Sequence, residues 1–270
     1  MKESNPFLTF IKANKKILLE ILGIFLILFI YEIISIGYND PLFLPSLSII
    51  CKNVISLCSK TTTYIAFGES LARTVVSVLI SIASGFILGT LAGYFNEVRY
   101  VLNPLVGIMK LVPTPCVIFL IFLFFYRDLN FGSVIITFIV IFPIIYESFI
   151  AGHDNLNESI KLSLKLEGYY SPKCFFKVIL PESTPYISLG IVNSLALGVK
   201  ISIMSEILLG SSQVQGIGTL LNNFRINSDY ANMFALIFLI LFIFILFDLL
   251  IKIIKKFMKN WKNSDLLLLC

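Results

Sequence analysis

The sequence predicts an all-α, polytopic membrane bundle, and three observations carry that class. Of 270 residues, 57% are hydrophobic and only 14% are charged, with 25 phenylalanines, so a water-soluble globule would have to expose much of its apolar surface. The apolar residues fall in long runs, and a run of about 20 crosses the hydrocarbon core as a helix. Between the runs, no stretch of about a hundred residues is left in which a soluble core could form.

Roughly six spans are expected on this criterion. The first is Ile17 to Ile36, behind a basic head with Lys12, Lys15 and Lys16; it is too long for a secretory signal and no small-residue cleavage site follows it. Glu20 and Glu32 sit near its ends, where they can reach polar groups. Residues 37–69, with LFLPSLSII and an amphipathic stretch to Cys58, are too polar to cross and are expected in the outer interface. The second span, Leu71 to Tyr94, sets Ser77, Ser81, Gly85, Gly89 and Gly93 on one helix face, a stripe that allows close approach of a helix of the same subunit or of a second subunit. Leu102 to Phe125 is the third, expected to kink or break at Pro113 and Pro115, each of which removes a backbone donor. Phe131 to Ile150, Tyr186 to Leu209 and Ala231 to Ile254 complete the set. Between the last two, residues 211–230 are expected outside, with Gly216-Ile217-Gly218 permitting a tight turn or close backbone contact. The expected organisation is residues 1–36 as head and first helix, 37–69 as the external segment, 70–257 as the core with a cytoplasmic loop over 155–185, and 258–270 as a tail.

Basic residues set the orientation. With a cytoplasmic N-terminus, the inside collects the head lysines, Arg99, Lys161, Lys165, Lys173, Lys177 and the lysines of the C-terminal tail, whereas the outside holds Lys52, Lys60, Arg73, Arg127 and Arg225. Both termini and the 155–185 loop are therefore expected to be cytoplasmic. This bias and anionic lipid account for the net charge of +5 without a nucleic-acid partner.

Lys110, Lys200 and Glu206 fall in or near the spans, where a charge is costly and calls for a role. Lys200 and Glu206 are about 120° apart on a 3.6-residue helix, so they do not pair with each other. One reading puts these residues, with Pro113 and Pro115, on a translocation pathway in which the lysines attract anions. The other lets Lys110 reach to the interface and gives Glu206 a partner on a neighbouring helix. The cysteines Cys51, Cys58, Cys116, Cys174 and Cys270 form no C-x-x-C pair, and no metal set is expected; Cys51 and Cys58 could meet outside, but free buried thiols fit better. His153, the single histidine, suits a solvated or capping role at a helix end. The chain has no P-loop and no catalytic constellation, so neither a cofactor nor covalent chemistry is expected of it.

The 155–185 loop is unusually organised. Asn155 or Asn157 can cap a helix that begins near Glu158, with Leu156, Ile160 and Leu164 at spacing four; Gly168 ends it, and Ser171-Pro172 starts a second helix, Pro172 to Ile179, which Pro181 and Pro185 are expected to stop. Two short helices with exposed apolar residues suit a groove on a partner protein.

This arrangement resembles the cytoplasmic loop of binding-protein-dependent ABC importer permeases, whose motif sets a Glu-Ala-Ala group before a glycine and an Ile-x-Leu-Pro group after it. Gly168 and Val178-Ile179-Leu180-Pro181 match that spacing. LFLPSLSII, ESLARTVVSVLISIASGFILGTLAGYF, NPLVGIMKLVPTP and SEILLGSSQVQGIGTLL are further similar to the nitrate/sulfonate/taurine branch, to which pyrimidine, thiamine-precursor and riboflavin importers also belong. The resemblance implies a pair of permease subunits, a homodimer by expectation, in the plasma membrane of a prokaryote. It implies an extracellular solute-binding protein and cytoplasmic ATPase subunits that carry ATP and Mg and receive the loop. Ser163, Leu164, Gly168, Tyr169, Ser171, Phe175, Phe176, Val178, Leu180 and Pro181 would make that contact. Leu162, Ser163 and Leu164 stand where the family has glutamate and alanines, so the contact is expected to be repacked for one ATPase groove. A nitrate-, sulfonate- or taurine-like anion is the favoured solute, and an uncharged vitamin precursor is the alternative. An ion-coupled secondary transporter would carry inverted repeats with interrupted helices, whereas only the Pro113/Pro115 break is seen. An integral membrane enzyme would have only His153, Asp154 and Glu147 to work with.

Overall fold

A computed structural model describes residues 6–38, 40, 42–167, 172–209 and 214–267, and every regular element among them is helical. The long helices are α1 (Pro6–Tyr38), α3 (Thr61–Tyr94), α6 (Leu129–Asp154), α9 (Leu180–Leu209) and α11 (Tyr230–Leu267). Shorter ones are α2 (Leu47–Cys58), α4 (Asn96–Leu111), α5 (Thr114–Phe124), α7 (Glu158–Glu167), α8 (Pro172–Cys174) and α10 (Ile217–Ile226). Among the described residues four helices are long and apolar enough to cross a membrane: Thr61–Tyr94, Leu129–Asp154, Phe175–Leu209 and Tyr230–Leu249. The α4–α5 pair makes a fifth crossing if it counts as one span, and the first expected span falls on α1, whose stretch Leu22–Tyr38 is apolar but shorter.

Two boundaries differ from expectation. α3 begins at Thr61 instead of near Leu71, because hydropathy marks the edge of the hydrocarbon and not the end of a helix, and Thr61, Thr62 and Thr63 continue the helix beyond it. The second loop helix is not stopped by Pro181 or Pro185. It runs through a π turn, Phe175–Ile179, directly into α9. The Leu180 N–H donates to the Phe175 carbonyl, the five-residue spacing of a π turn, so the widened turn ends where Pro181 has no N–H to offer.

The chain divides into two compact units. One comprises residues 1–59 with 224–238. Within it Tyr31 donates to the Pro45 carbonyl at 2.8 Å and Ser35 to that of Leu44 at 2.9 Å, while the Glu32 carboxylate accepts from the first amide of α2, Leu47 N–H, at 2.8 Å. Glu32 thus finds the polar group expected of it. Cys51 and Cys58 are not bonded to each other, and both are exposed instead of buried.

The other unit, residues 60–223 with 239–270, has α3, α6 and α9 at its centre. The small-residue stripe of α3 faces α6 of the same chain. A Cβ at Gly85 would meet Ile145 Cγ2 at 2.7 Å, one at Gly89 would meet Phe149 Cβ at 2.7 Å, and one at Gly93 would meet the His153 side chain at 3.1 Å. Further along the stripe Ser77 donates to the Val134 carbonyl of α6 at 3.0 Å, and Ser81 is buried. This is the packing of helices within one subunit, one of the two readings of the stripe. α5 closes one side through Ile118, which meets Ile136 of α6 and Ile201 of α9. α4 lies against α3 and α6 through Val106, Ala92, Phe142, Tyr146 and Ile150. The axes of α4 and α5 differ by 100° across Val112 and Pro113, the break that the two prolines predict.

Candidate functional site

Two polar regions lie at opposite ends of this unit. At the C-terminal end of α3, α7 and the π turn fold together over a small core of Leu156, Leu164 and Ile179, with Tyr94, Ile160, Phe175 and Val178 around it. Asn157 Oδ1 accepts from the Ser159 N–H at 3.3 Å at the start of α7, as a capping asparagine does. Lys161 Nζ donates to the Asp154 carbonyl at 2.7 Å, tying α7 to the last turn of α6. The outward surface is polar but for two large apolar side chains, Leu162 at 62% and Phe176 at 60% exposed, the latter beside exposed Lys173, Lys177 and Pro181.

The expected contact residues divide accordingly. Phe176, Ser163 and Pro181 face out; Phe175, Val178 and Leu180 are half-buried; Gly168, Tyr169 and Ser171 lie outside the described residues. Leu164 requires a correction. It is only 3% exposed and packs on Leu156 and Ile179, so it fastens α7 to its own chain and has no surface for a groove to be cut around. Leu162 is the leucine that the exposed face uses, and its position opposite the Leu156–Ile160–Leu164 stripe was the available signal.

Close to the same end, α4 is held to α6 by three polar contacts. Arg99 grips Asp154 with two hydrogen bonds of 3.0 and 2.8 Å, Tyr146 donates to Asn103 at 3.1 Å, and Lys110 reaches Glu147 at 2.6 Å. Lys110 therefore carries a carboxylate of its own, both partners being half exposed. His153 sits in the last turn of α6 with its ring 5.2 Å from that of Tyr94, so it packs instead of being solvated. Lys200 is exposed on α9, its ammonium 5.7 Å from the centre of the Phe244 ring of α11, within range of a cation–π contact.

The opposite end holds a network that the sequence pattern does not assemble. Glu206 is 0% exposed and Arg73 6% exposed, and they pair at 2.7 Å between α9 and α3. Arg73 also donates to Asn130 at 3.0 Å and to the Gln215 carbonyl at 2.6 Å. The second carboxylate oxygen of Glu206 accepts from Ser70 at 2.8 Å and from the Gly218 N–H at 2.8 Å, and Ser70 accepts in turn from the Ile217 N–H at 2.9 Å. Those two amides are the first of α10, so a buried carboxylate caps that helix and neutralises its positive end. Gly216 and Gly218 permit the approach: a side chain at Gly216 would collide with the Glu206 carboxylate, and one at Gly218 with the Ile203 carbonyl.

Glu206 has no exposed surface and finds its partner on the neighbouring α3, which is the second of the two readings and not the pathway one. Arg73, counted with the basic residues of the outer side, is buried on α3, where Glu206 draws it inward. The clue was Glu206 itself: a carboxylate inside a span needs a cation, and with Lys200 turned away Arg73 is the basic residue nearest the same end of a neighbouring span. Pro113 and Pro115 sit at the α4–α5 bend, Pro113 exposed and Pro115 half-buried.

A membrane bundle in which a compact loop sits between two spanning helices, beside a broken helix pair, is the fold of a type I ABC importer permease. The family model for the inner membrane component of binding-protein-dependent transport systems matches residues 85–260, more than half of the chain, and the chain belongs to that family. No curated protein matches the sequence. Among solved structures, one of the inward-facing MetNI methionine ABC transporter is similar at a TM-score of 0.58 and 14% identity, covering 73% of this chain and 98% of that one; at that identity the likeness is one of fold. The chain is thus a multi-pass transport component, and not itself a catalytic enzyme.

Proposed function

We propose that two copies of this chain form the solute pathway of an ABC importer of the nitrate/sulfonate/taurine type, each docking one cytoplasmic ATPase subunit through the α7–α8 loop. The observation that carries the reading is the loop itself. It has a core of its own in Leu156, Leu164 and Ile179, and is pinned to α6 by Lys161, yet it leaves Leu162 and Phe176 in the open between lysines. A rigid knob with an apolar tip is suited to moving as one body when its partner moves. The partner supplies ATP and Mg, a solute-binding protein delivers the solute, and both termini of the chain lie on the ATPase side in a prokaryotic membrane.

The solute we assign is small and polar. An anion preference rested on Lys110 and Lys200, and Lys110 supports none, since Glu147 already neutralises it. Purified alone in liposomes the chain should neither hydrolyse ATP nor accumulate solute, whereas co-expression with its ATPase should yield a stable complex that hydrolyses ATP and, once the solute-binding protein is added, accumulates solute. Uphill uptake by the isolated chain without ATP would instead establish a secondary transporter.

A further inference from the structure

The end of α3 remote from the coupling loop carries a cleft that the loop and the ion pairs leave unexplained. Its volume is about 320 Å3, within the range of roughly 300–1,000 Å3 seen for small-molecule sites. Thr62 of α3, Gln215, and Thr219 and Asn223 of α10 give it hydroxyl and amide groups, and Ile65 and Leu220 give it apolar wall. Among the described residues no charged side chain lines it. Tyr94, at the far end of the same helix, packs on the coupling loop. Thr62 is separated from it by about 48 Å of helix at 1.5 Å per residue, so cleft and loop open on opposite sides of a membrane.

Three features make this a built site. Thr219, a lining residue only 5% exposed, has a buried hydroxyl with no partner among the described residues, and Thr63 Oγ1 and Arg73 Nε at the same end are buried without partners there too. The floor is rigid, because Glu206 holds the Gly218 amide and Arg73 holds the Gln215 carbonyl. The charges beneath it are spent on each other: Arg73 and Glu206 pair at 2.7 Å, Glu69 lies 3.6 Å from the same guanidinium, and the remaining Glu206 oxygen is taken by Ser70 and Gly218. A charged solute entering here would lose hydration and meet no unpaired charge among the lining residues, whereas an uncharged one could pair with the hydroxyl and amide groups of the wall.

We propose that this cleft receives the solute on the side opposite the ATPase, and that it selects an uncharged solute bearing amide or hydroxyl groups. The proposal rests on the permease reading and names its solute class, against the anion that the lysines suggested.

Chemical modification tests this while the solute is still unidentified. In the permease–ATPase complex, with Cys51, Cys58, Cys116, Cys174 and Cys270 replaced by serine, Thr219→Cys is treated separately with neutral benzyl, anionic sulfonatoethyl and cationic trimethylammonioethyl methanethiosulfonates. Lys60→Cys, exposed at the same end, supplies the reference rates. Relative to that reference, both charged reagents should react at least about tenfold more slowly than the neutral one at Thr219→Cys, because the cleft offers no counter-charge. The benzyl-modified complex should keep its ATPase subunits but lose uptake of the solute that mass spectrometry identifies in the co-purified binding protein. Preferential reaction with the anionic reagent, an anionic solute, or full uptake after modification would overturn the proposal. Ala66→Cys, which also lines the cleft, repeats the measurement should Thr219→Cys fail to assemble. Failure of the unmodified chain to bind any ATPase would tell against the permease reading instead.

Discussion

Both ends of the α3–α6–α9 bundle are held by arginine–carboxylate pairs, yet the two are built differently. At the cleft end Arg73 and Glu206 are buried, and their contacts tie together α3, α9, the first turn of α6 and the start of α10. At the loop end Arg99–Asp154 and Lys110–Glu147 are partly exposed and join only α4 to α6. Removing one member of a buried pair leaves an uncompensated charge, whereas an exposed pair is screened and contributes little. The same chemistry therefore makes a strut at one end and an adjustable clasp at the other. A transporter that switches between two shapes can use both, since the clasp can re-form as α4 shifts while the strut keeps the cleft in shape.

The comparison breaks most visibly at Glu206. Glu206→Ala should cost about 3–5 kcal/mol, by leaving the buried Arg73 with only the half-exposed Glu69 at 3.6 Å and α10 without its cap, and should show as a lower unfolding midpoint in detergent. An unchanged midpoint would mean the strut bears no load. Gly89→Val comes next: its methyls would enter the space of Phe149, and overpacking of this kind costs about 1–3 kcal/mol, read in the same assay. Arg99→Ala should be the mildest, within about 1 kcal/mol, because its pair with Asp154 is partly exposed. If Arg99→Ala proved as damaging as Glu206→Ala, the distinction between strut and clasp would be lost. Function sharpens the contrast, since Arg99→Ala is expected to impair coupled uptake more than it lowers stability.

Much of this architecture was legible in the residues, and what was not has physical causes. The Ser77-to-Gly93 stripe and the Pro113/Pro115 break follow from local geometry, which is why both appear where expected. Helix limits were less legible. Thr61 and the threonines after it continue a helix past the hydrocarbon edge, and Pro181 is absorbed by a π turn that no pattern of single residues announces. Pairing across helices was the least legible, because Arg73 and Glu206 are 133 positions apart and meet only through tertiary packing. Leu164 shows the same limit on a smaller scale: its spacing with Leu156 and Ile160 marked an apolar face, but only the Ile179 contact shows that this face turns inward.

The central claim is that the loop's exposed apolar tip seats an ATPase. It is tested most directly by cross-linking a single cysteine at Phe176, in a chain otherwise free of cysteine, to the co-expressed ATPase with a short bifunctional maleimide. The account predicts a cross-linked band at Phe176→Cys and none at Leu208→Cys, which is exposed near the opposite end of α9. A band at Leu208→Cys alone, or an ATPase that co-purifies but cross-links at neither position, would contradict it.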